Sequence, residues 1–182
     1  MANFWSDATQ QDPKRKYRWI MRIASIPAYV LKSVSKPGFT VSETEHKYLN
    51  HTYWYPGRVE WEPITLTLAD PVSPDMAATM AQILASSGYK PAQSVDDTTT
   101  ISKERAVTAL GNQIEIVQID GDGIPIETWK LVNPFITDAK FGDLDYEGDE
   151  LSEIEVTIRY DWAELVTANG DNIAGDREFF KL

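Results

Sequence analysis

Alternation of apolar and polar residues dominates this chain, and such alternation predicts β-strands because successive side chains of a strand point to opposite faces. The clearest example is the stretch 151–162. Ile154, Val156, Ile158 and Tyr160 alternate there with charged and hydroxyl side chains. This stretch is therefore predicted to be a strand with one face in the core.

Shorter alternations predict further strands, with turns between them marked by glycine, proline and asparagine. The predicted strand segments are 17–23, 28–34, 39–48, 58–68, 103–110, 113–120 and 124–132. Gly111-Asn112 is interpreted as a tight turn between two of them. The segment 43–57 is polar and aromatic with few aliphatic residues, so we interpret it as a projecting loop or hairpin.

One helix is predicted between Ser73 and Gly88. Ser73 is a suitable N-cap, Pro74 suits the first helical position, and Gly88 suits the left-handed residue after the last turn. The residues at helical spacing, expected to face the core, are Met76, Met80, Ile83, Leu84 and Ser87. Strands, one helix and more strands predict a mainly β fold: an antiparallel β-barrel or sandwich-like sheet with one flanking α-helix.

The length of 182 residues fits a single domain, 1–182. We divide it into a polar N-terminal arm at 1–16, a core at 17–165 and a polar C-terminal tail at 166–182. The arm lacks the apolar stretch of a signal peptide, and no apolar run is long enough for a membrane span. A soluble, unexported chain with no membrane insertion is expected.

Charge and composition exclude several classes of function. The formal charge of −11 opposes tight binding to a nucleic-acid backbone. The chain has no cysteine, which excludes disulfides and cysteine-ligated sites. His46 and His51 are separated by a spacing that suits neither a helical ligand pair nor one face of a strand. No phosphate-binding loop or nucleophile motif occurs, so no catalytic activity, metal or cofactor is expected.

Two acidic segments remain as candidate functional features. The Asp120-Gly-Asp122-Gly run lacks further calcium ligands at the required positions and is interpreted as a hairpin turn. The second segment is an acidic run that is interpreted as a solvated edge loop. Its residues are Asp143, Asp145, Glu147, Asp149 and Glu150.

The C-terminal half, residues 127–165, resembles the tail tube proteins of contractile-tailed bacteriophages. The order of its features carries the resemblance: a Trp-x-Leu strand, a bend, an acidic turn and a long strand ending in a Tyr-Asp pair. These features lie at Trp129 and Leu131, Pro134 and Phe135, Asp143-Leu-Asp145-Tyr, and Tyr160-Asp161. The weaker agreement of the N-terminal half extends the resemblance over 17–165.

The resemblance implies a structural subunit that stacks as six-subunit rings into a hollow tube inside a contractile sheath. The implied partners are copies of itself, the tail sheath protein, the tape-measure protein, and the baseplate and tail-terminator proteins. DNA is expected to pass through the tube without tight binding. The implied location is the virion tail, assembled in the host cytoplasm.

Two groups of residues are assigned roles within this hypothesis. Tyr53, Trp54 and Tyr55 are predicted to anchor a subunit interface, because aromatic side chains are enriched at interface centres. The acidic residues are predicted to lie in the lumen or at the tube ends. They are Asp120, Asp122, Asp143, Asp145, Glu147 and Asp149.

Three alternatives remain open at the level of sequence. The chain fits the tube of a phage-derived contractile injection or secretion machine, or a tube initiator at the baseplate. Outside this class, exposed aromatic and acidic residues also suit a β-sandwich carbohydrate-binding module. Self-assembly into filaments distinguishes the first two from the third.

Overall fold

The structure is a computed structural model that describes residues 13–24, 26–168 and 177–182. Within these ranges the chain forms two antiparallel sheets, a separate long hairpin and two α-helices. The strands are β1 (Trp19–Arg22), β2 (Leu31–Val34), β3 (Phe39–Tyr48), β4 (His51–Trp61), β5 (Ile64–Ala69), β6 (Gln113–Ile119), β7 (Pro125–Val132), β8 (Phe135–Lys140), β9 (Glu153–Arg159), β10 (Trp162–Thr167) and β11 (Arg177–Phe179). The helices are α1 (Met76–Ser86) and α2 (Lys103–Ala109).

The two sheets share one hydrophobic core. One sheet has five strands in the order β1-β6-β7-β10-β11, and the other has four in the order β2-β5-β9-β8. All neighbouring pairs are antiparallel. The predicted mainly β, antiparallel architecture is therefore confirmed.

Strands β5 and β9 form the centre of the four-stranded sheet. Leu66 lies opposite Val156, and Leu68 lies opposite Ile154. These four side chains are completely buried. The threonines that alternate with the apolar residues of β5 face outward, as the two-residue period predicts.

Helix α1 begins two residues after the predicted start. Its N-cap is Asp75 rather than Ser73, because the Asp75 carboxylate accepts a hydrogen bond from the backbone N–H of Ala78 at 2.9 Å. Asp70 accepts a second one from the N–H of Met76, so two carboxylates satisfy the first turn. The predicted apolar stripe is buried except at Leu84, which is exposed.

The segment 103–110, predicted to be a strand, is helix α2. The Ser102 side chain caps it by accepting a hydrogen bond from the N–H of Arg105, and Glu104 favours the positive end of the helix dipole. Val107 and Leu110, three residues apart, supply its buried side. The fold therefore has two flanking helices where one was predicted.

Two further predictions need correction, and two lie partly outside the described residues. The segment 28–34 begins with a 3-10 turn at Ala28–Val30 before β2. The predicted core boundary at 165 falls inside β10, and β11 attaches the end of the chain to the same sheet. Residues 1–12 of the predicted arm and 169–176 of the predicted tail lie outside the described ranges.

Neither helix in the described chain has the length and apolarity that crossing a membrane requires.

Candidate functional site

The long hairpin β3–β4 extends away from the core. Every residue of β3 is exposed, and so is every residue of β4 except Thr52 and Trp61. Ten residues of antiparallel strand span roughly 34 Å. The segment 43–57, predicted to be a projecting loop or hairpin, is therefore confirmed as the outer part of a hairpin.

Aromatic rings attach the hairpin to the core at its base. The ring of Trp61 lies 5.5 Å from that of Phe39, 6.1 Å from that of Tyr160 and 5.5 Å from that of Phe180. These edge-to-face and tilted contacts join the hairpin, the end of β9 and the chain terminus. The base of the hairpin therefore packs on the core, while the residues at its tip are exposed.

A β-bulge interrupts the hairpin about midway. The register shifts between Val41 and Glu43. The Ser42 hydroxyl accepts a hydrogen bond from the N–H of Arg58 at 2.8 Å, and a Cβ placed on Gly57 would lie 2.3 Å from that hydroxyl. A residue other than glycine at position 57 would therefore displace the bulge, which sets the local twist of the hairpin.

The three aromatic residues predicted as an interface anchor do not share one face. Tyr53 lies opposite His46, and Trp54 lies opposite Glu45. Since residues opposite each other in an antiparallel pair share a face, Tyr53 and Tyr55 project from one side and Trp54 from the other. Their exposed fractions are 48%, 56% and 59% respectively. Their role at a subunit interface stays a prediction.

The hairpin brings the two histidines to one face, which the linear spacing did not indicate. His51 lies opposite Tyr48, and His46 lies opposite Tyr53. The rings of His51 and Tyr53 are 4.7 Å apart in an edge-to-face contact. Across the described ranges, no three acidic or histidine side chains are grouped as a metal site would require.

The first acidic segment is the turn between β6 and β7. One carboxylate oxygen of Asp120 accepts hydrogen bonds from the N–H groups of Asp122 and Ile124, at 2.9 and 2.8 Å. Gly123 has a φ of 83°, a conformation that favours glycine. This geometry is that of the hairpin turn expected from the sequence.

The second acidic segment, residues 141–152, joins β8 to β9, and we name it the acidic loop. Asp145 accepts a hydrogen bond from the N–H of Glu147 at 3.1 Å. No ion pair connects the loop's carboxylates to another described residue. The two acidic segments belong to different sheets, so the structure divides the predicted acidic residues into two sites.

A groove of about 930 Å³ lies between the edge strands β1 and β2, and we name it the edge groove. Its apolar lining includes Trp19, Met21 and Ile116. Its basic lining consists of Lys14, Lys16, Lys32 and Lys36. Sequence analysis did not find this site, because β1 and β2, although close in sequence, belong to different sheets, and no local pattern specifies how the two sheets pack.

Glu127 lies beside the edge groove and holds the two sheet edges together. Its side chain is 8% exposed and forms ion pairs with Lys14 and Lys36, and it accepts a hydrogen bond from the Trp129 indole N–H at 2.6 Å. Burial alone raises the pKa of Glu127, but the three donors outweigh it and lower the pKa to about 2. Glu127 is therefore ionised in the folded protein above strongly acidic pH.

The Tyr-Asp pair of the family pattern has two different roles here. Asp161 accepts hydrogen bonds from the ammonium of Lys103 and the amide of Asn133, which attach α2 to the β7–β8 turn. Burial raises the pKa of Asp161, but the hydrogen bond from Lys103 and then that from Asn133 outweigh it and lower the pKa. The Tyr160 hydroxyl is buried without a partner among the described residues, and this burial raises its pKa to about 12.

The outer face of the four-stranded sheet is polar. Its strands present threonines at its centre and charged residues around them. The basic residues are Lys32, Lys140 and Arg159, and the acidic residues are Asp138, Glu153 and Glu155. The formal charges on this face therefore cancel.

The fold of two antiparallel sheets with flanking helices is similar to that of chains solved in the anti-feeding prophage and in an extracellular contractile injection system. No protein-family model matches the sequence, and no curated protein matches it. Solved structures do match. A chain in the baseplate of the anti-feeding prophage (AFP) aligns over 87% of this chain and 98% of its own, with a TM-score of 0.62 and 14% identity.

Two chains of an extracellular contractile injection system, PVC, are similar as well. The match in its extended sheath-tube complex covers 86% of this chain and 93% of that one, with a TM-score of 0.59 and 18% identity. The match in its sheath/tube terminator covers 85% and 97%, with a TM-score of 0.60 and 18% identity. At these identities the likeness establishes the fold, and the role of the chain rests on its own surfaces.

Proposed function

We propose that this chain is the tube subunit of a contractile machine, and that it forms six-membered rings which stack into a hollow tube. The observation that carries the proposal is the hairpin β3–β4, which exposes aromatic residues on both faces along its length. A two-stranded hairpin is marginally stable alone in water. Burial against neighbouring copies removes these aromatic rings from water and stabilises the arm.

The proposed role is structural rather than catalytic, and the whole chain acts as one tube domain. The proposed partners are copies of the chain, the sheath protein, the tape-measure protein, and the baseplate and terminator proteins. The similar AFP and PVC chains come from assemblies described by a baseplate, a sheath-tube complex and a terminator, which supports this set. Assembly in the host cytoplasm into a tail is part of the same proposal.

The charge of the bore follows from which surface faces inward. A bore lined by the outer face of the four-stranded sheet is neutral, because the charges on that face cancel. A negative bore requires the acidic turn at Asp120–Asp122 or the acidic loop to face inward. Either surface lacks an excess of positive charge, so DNA or another anionic cargo passes without tight binding.

Two kinds of particle fit the proposal. The family pattern in the sequence favours the tail tube of a bacteriophage, which ejects DNA, and the similar solved structures favour a phage-derived injection machine. A tube initiator at the baseplate of either particle would have the same fold. Particles purified with this chain distinguish the first two: nuclease-protected DNA in the intact particle is expected only for the phage.

The direct test is electron microscopy of the purified chain over a range of concentrations, with and without sheath protein. Rings or stacked tubes with a central channel are the expected result. A chain that stays monomeric at millimolar concentration, also with tail extract added, contradicts the proposal. Binding to immobilised polysaccharides without self-assembly would instead support the carbohydrate-binding module.

A further inference from the structure

The edge groove is a basic site on an acidic chain. It is lined by Lys14, Lys16, Lys32 and Lys36, whereas the chain as a whole has a formal charge of −11. Glu127 pairs with two of these lysines and Glu153 pairs with a third. Lys16 is exposed and has no ion-pair partner among the described residues. The groove therefore keeps an excess of positive charge.

The groove also offers apolar and backbone contacts. Trp19 and Leu31 are only partly buried where they line it, and Met21 lies at its floor. Strands β1 and β2 are each at the end of a sheet, so each has one side without a strand partner in the described chain. Unpaired strand edges attract additional chains. A segment that combines negative charge with apolar side chains suits this site.

The acidic loop is such a segment. Between Phe141 and Ser152 it has five carboxylates and no lysine or arginine. Two of its apolar side chains, Leu144 and Tyr146, are almost fully exposed, at 95% and 108% of the reference value. The loop thus presents the negative charge and the apolar side chains that suit the edge groove, and Leu144 and Tyr146 are left uncovered within the described chain.

The sheet order places the two features apart. The edge groove borders β2, while the acidic loop joins β8 to β9 at the other side of the order β2-β5-β9-β8. The start of the loop at β8 is three strand spacings, about 14 Å, from β2, whereas its end at β9 is two spacings away, and Lys32 of the groove interacts there with Glu150 and Glu153 of its own chain. Two different patches on different sides of one subunit form a heterologous contact, which repeats from copy to copy and closes into a ring or continues as a filament.

From these observations we propose that the acidic loop of one copy docks in the edge groove of the next copy. Leu144 and Tyr146 contact the apolar floor, and the carboxylates face the lysines. Lys16 is the principal basic contact, because Lys32 already has Glu153 as a partner in its own chain. The proposal rests on the proposed self-assembly and names the lateral contact that it uses.

A charge swap tests this contact. Lys16→Glu reverses the groove, and Asp143→Lys with Asp149→Lys reverses the loop; all three side chains are exposed. Each reversal is expected to raise the concentration for half-maximal assembly at least about tenfold, because like charges then face each other. The combination of both reversals in one chain is expected to restore assembly to within about threefold of the unmodified chain.

Matched controls are available in the loop between the helices. Lys90→Glu makes the same charge change as Lys16→Glu, and Asp96→Lys makes the change of one of the two loop substitutions, both at exposed positions outside the groove and the acidic loop. They are expected to leave assembly unchanged. Assembly that resists both reversals, or a combined variant no better than either reversal alone, overturns the docking proposal. An unmodified chain that does not assemble contradicts the tube proposal itself.

A cross-linking experiment separates contacts within a copy from contacts between copies. Equal amounts of 14N- and 15N-labelled chain are assembled together and treated with a zero-length carbodiimide reagent. Cross-linked peptides that join Lys16 to Asp143, Asp145 or Glu147 are expected to include a population that combines both isotopes, beside those with one isotope. Peptides in which both halves always have the same isotope, or an absence of these peptides from assembled tubes, overturn the proposal.

Discussion

Strand β5 and the hairpin β3–β4 show two uses of the same local structure. In β5, Ile64, Leu66 and Leu68 are fully buried between sheet and sheet. In the hairpin, Val41 and Val59 lie opposite each other and remain about half exposed. Both regions are extended and rich in β-branched or aromatic residues. The fold of a single chain stabilises the first region along its whole length, whereas it packs against the second at the aromatic base, and the proposed assembly would cover the rest.

A cavity in the core is expected to have the largest effect on folding. Leu66→Ala should lower the free energy of unfolding by about 3 kcal/mol, because the completely buried side chain leaves a cavity. Val59→Ala in the hairpin is the matched control and should change it by less than about 0.5 kcal/mol. Urea denaturation of the unassembled chain measures both. Equal losses would show that the hairpin is part of the core.

Acid is expected to weaken the junction between the sheet edges. The folded-state pKa of Glu127, about 2, is below its usual value of 4.5, so its contribution to stability is complete above about pH 4.5 and is lost as the pH falls towards 2. The loss is at most about 3 kcal/mol, since each pKa unit corresponds to about 1.4 kcal/mol.

Glu127→Gln provides the comparison for this pH dependence. The variant should be less stable than the unmodified chain at pH 7, by about 2 kcal/mol, because two lysines lose their charged partner. Its stability should also fall less between pH 4.5 and pH 2. Unfolding curves at several pH values measure the difference, and parallel curves for the two proteins would contradict the assignment to Glu127.

Removing an aromatic ring from the hairpin should affect assembly rather than folding. Trp54→Ala should leave the unfolding curve of the single chain almost unchanged and cost about 2 kcal/mol per contact in ring or tube formation. Tyr53→Ala removes a ring from the opposite face of the hairpin. If it weakens assembly as much as Trp54→Ala does, neighbouring copies cover both faces; if it does not, they cover only the face of Trp54. Sedimentation and electron microscopy measure assembly. Loss of folding by Trp54→Ala would place Trp54 in the core.

The smallest expected effect is a gain in stability. Tyr160→Phe removes a buried hydroxyl without a hydrogen-bond partner in the described chain, and it should raise the free energy of unfolding by up to about 1 kcal/mol. Tyr17→Phe changes an exposed ring in the same way and should have no effect. A loss of stability in Tyr160→Phe would indicate that the hydroxyl has a partner, such as bound water.

The sequence predicted best those elements whose burial follows a local period. The alternation at 151–162 gave the inward residues of β9, and the turn residue Gly88 marked the end of α1. The segment 103–110 was ambiguous because its alanine, threonine and valine residues suit either structure. Its capping residue Ser102 and the three-residue spacing from Val107 to Leu110 were the signals for a helix.

The assembly surfaces were only partly predictable. The polar and aromatic composition of 43–57 indicated a projection, but the antiparallel register was needed to separate Trp54 from Tyr53 and Tyr55. The turn of the hairpin also brought His46 and His51 together, against the expectation from their spacing. The edge groove and the Glu127 cluster depend on the order of strands in two sheets, which no local pattern specifies.

The bulge at Ser42 and Gly57 sets the direction in which the outer part of the hairpin projects. From Glu43 to Tyr48 the hairpin extends roughly 20 Å beyond the bulge. A change of about 10° at this point therefore moves the tip by about 3–4 Å, which is close to one residue of strand. A single hydroxyl contact at the bulge thus decides which residues of a neighbouring molecule the tip can touch, and substitutions there would alter the pitch of an assembly without changing any residue in its interface.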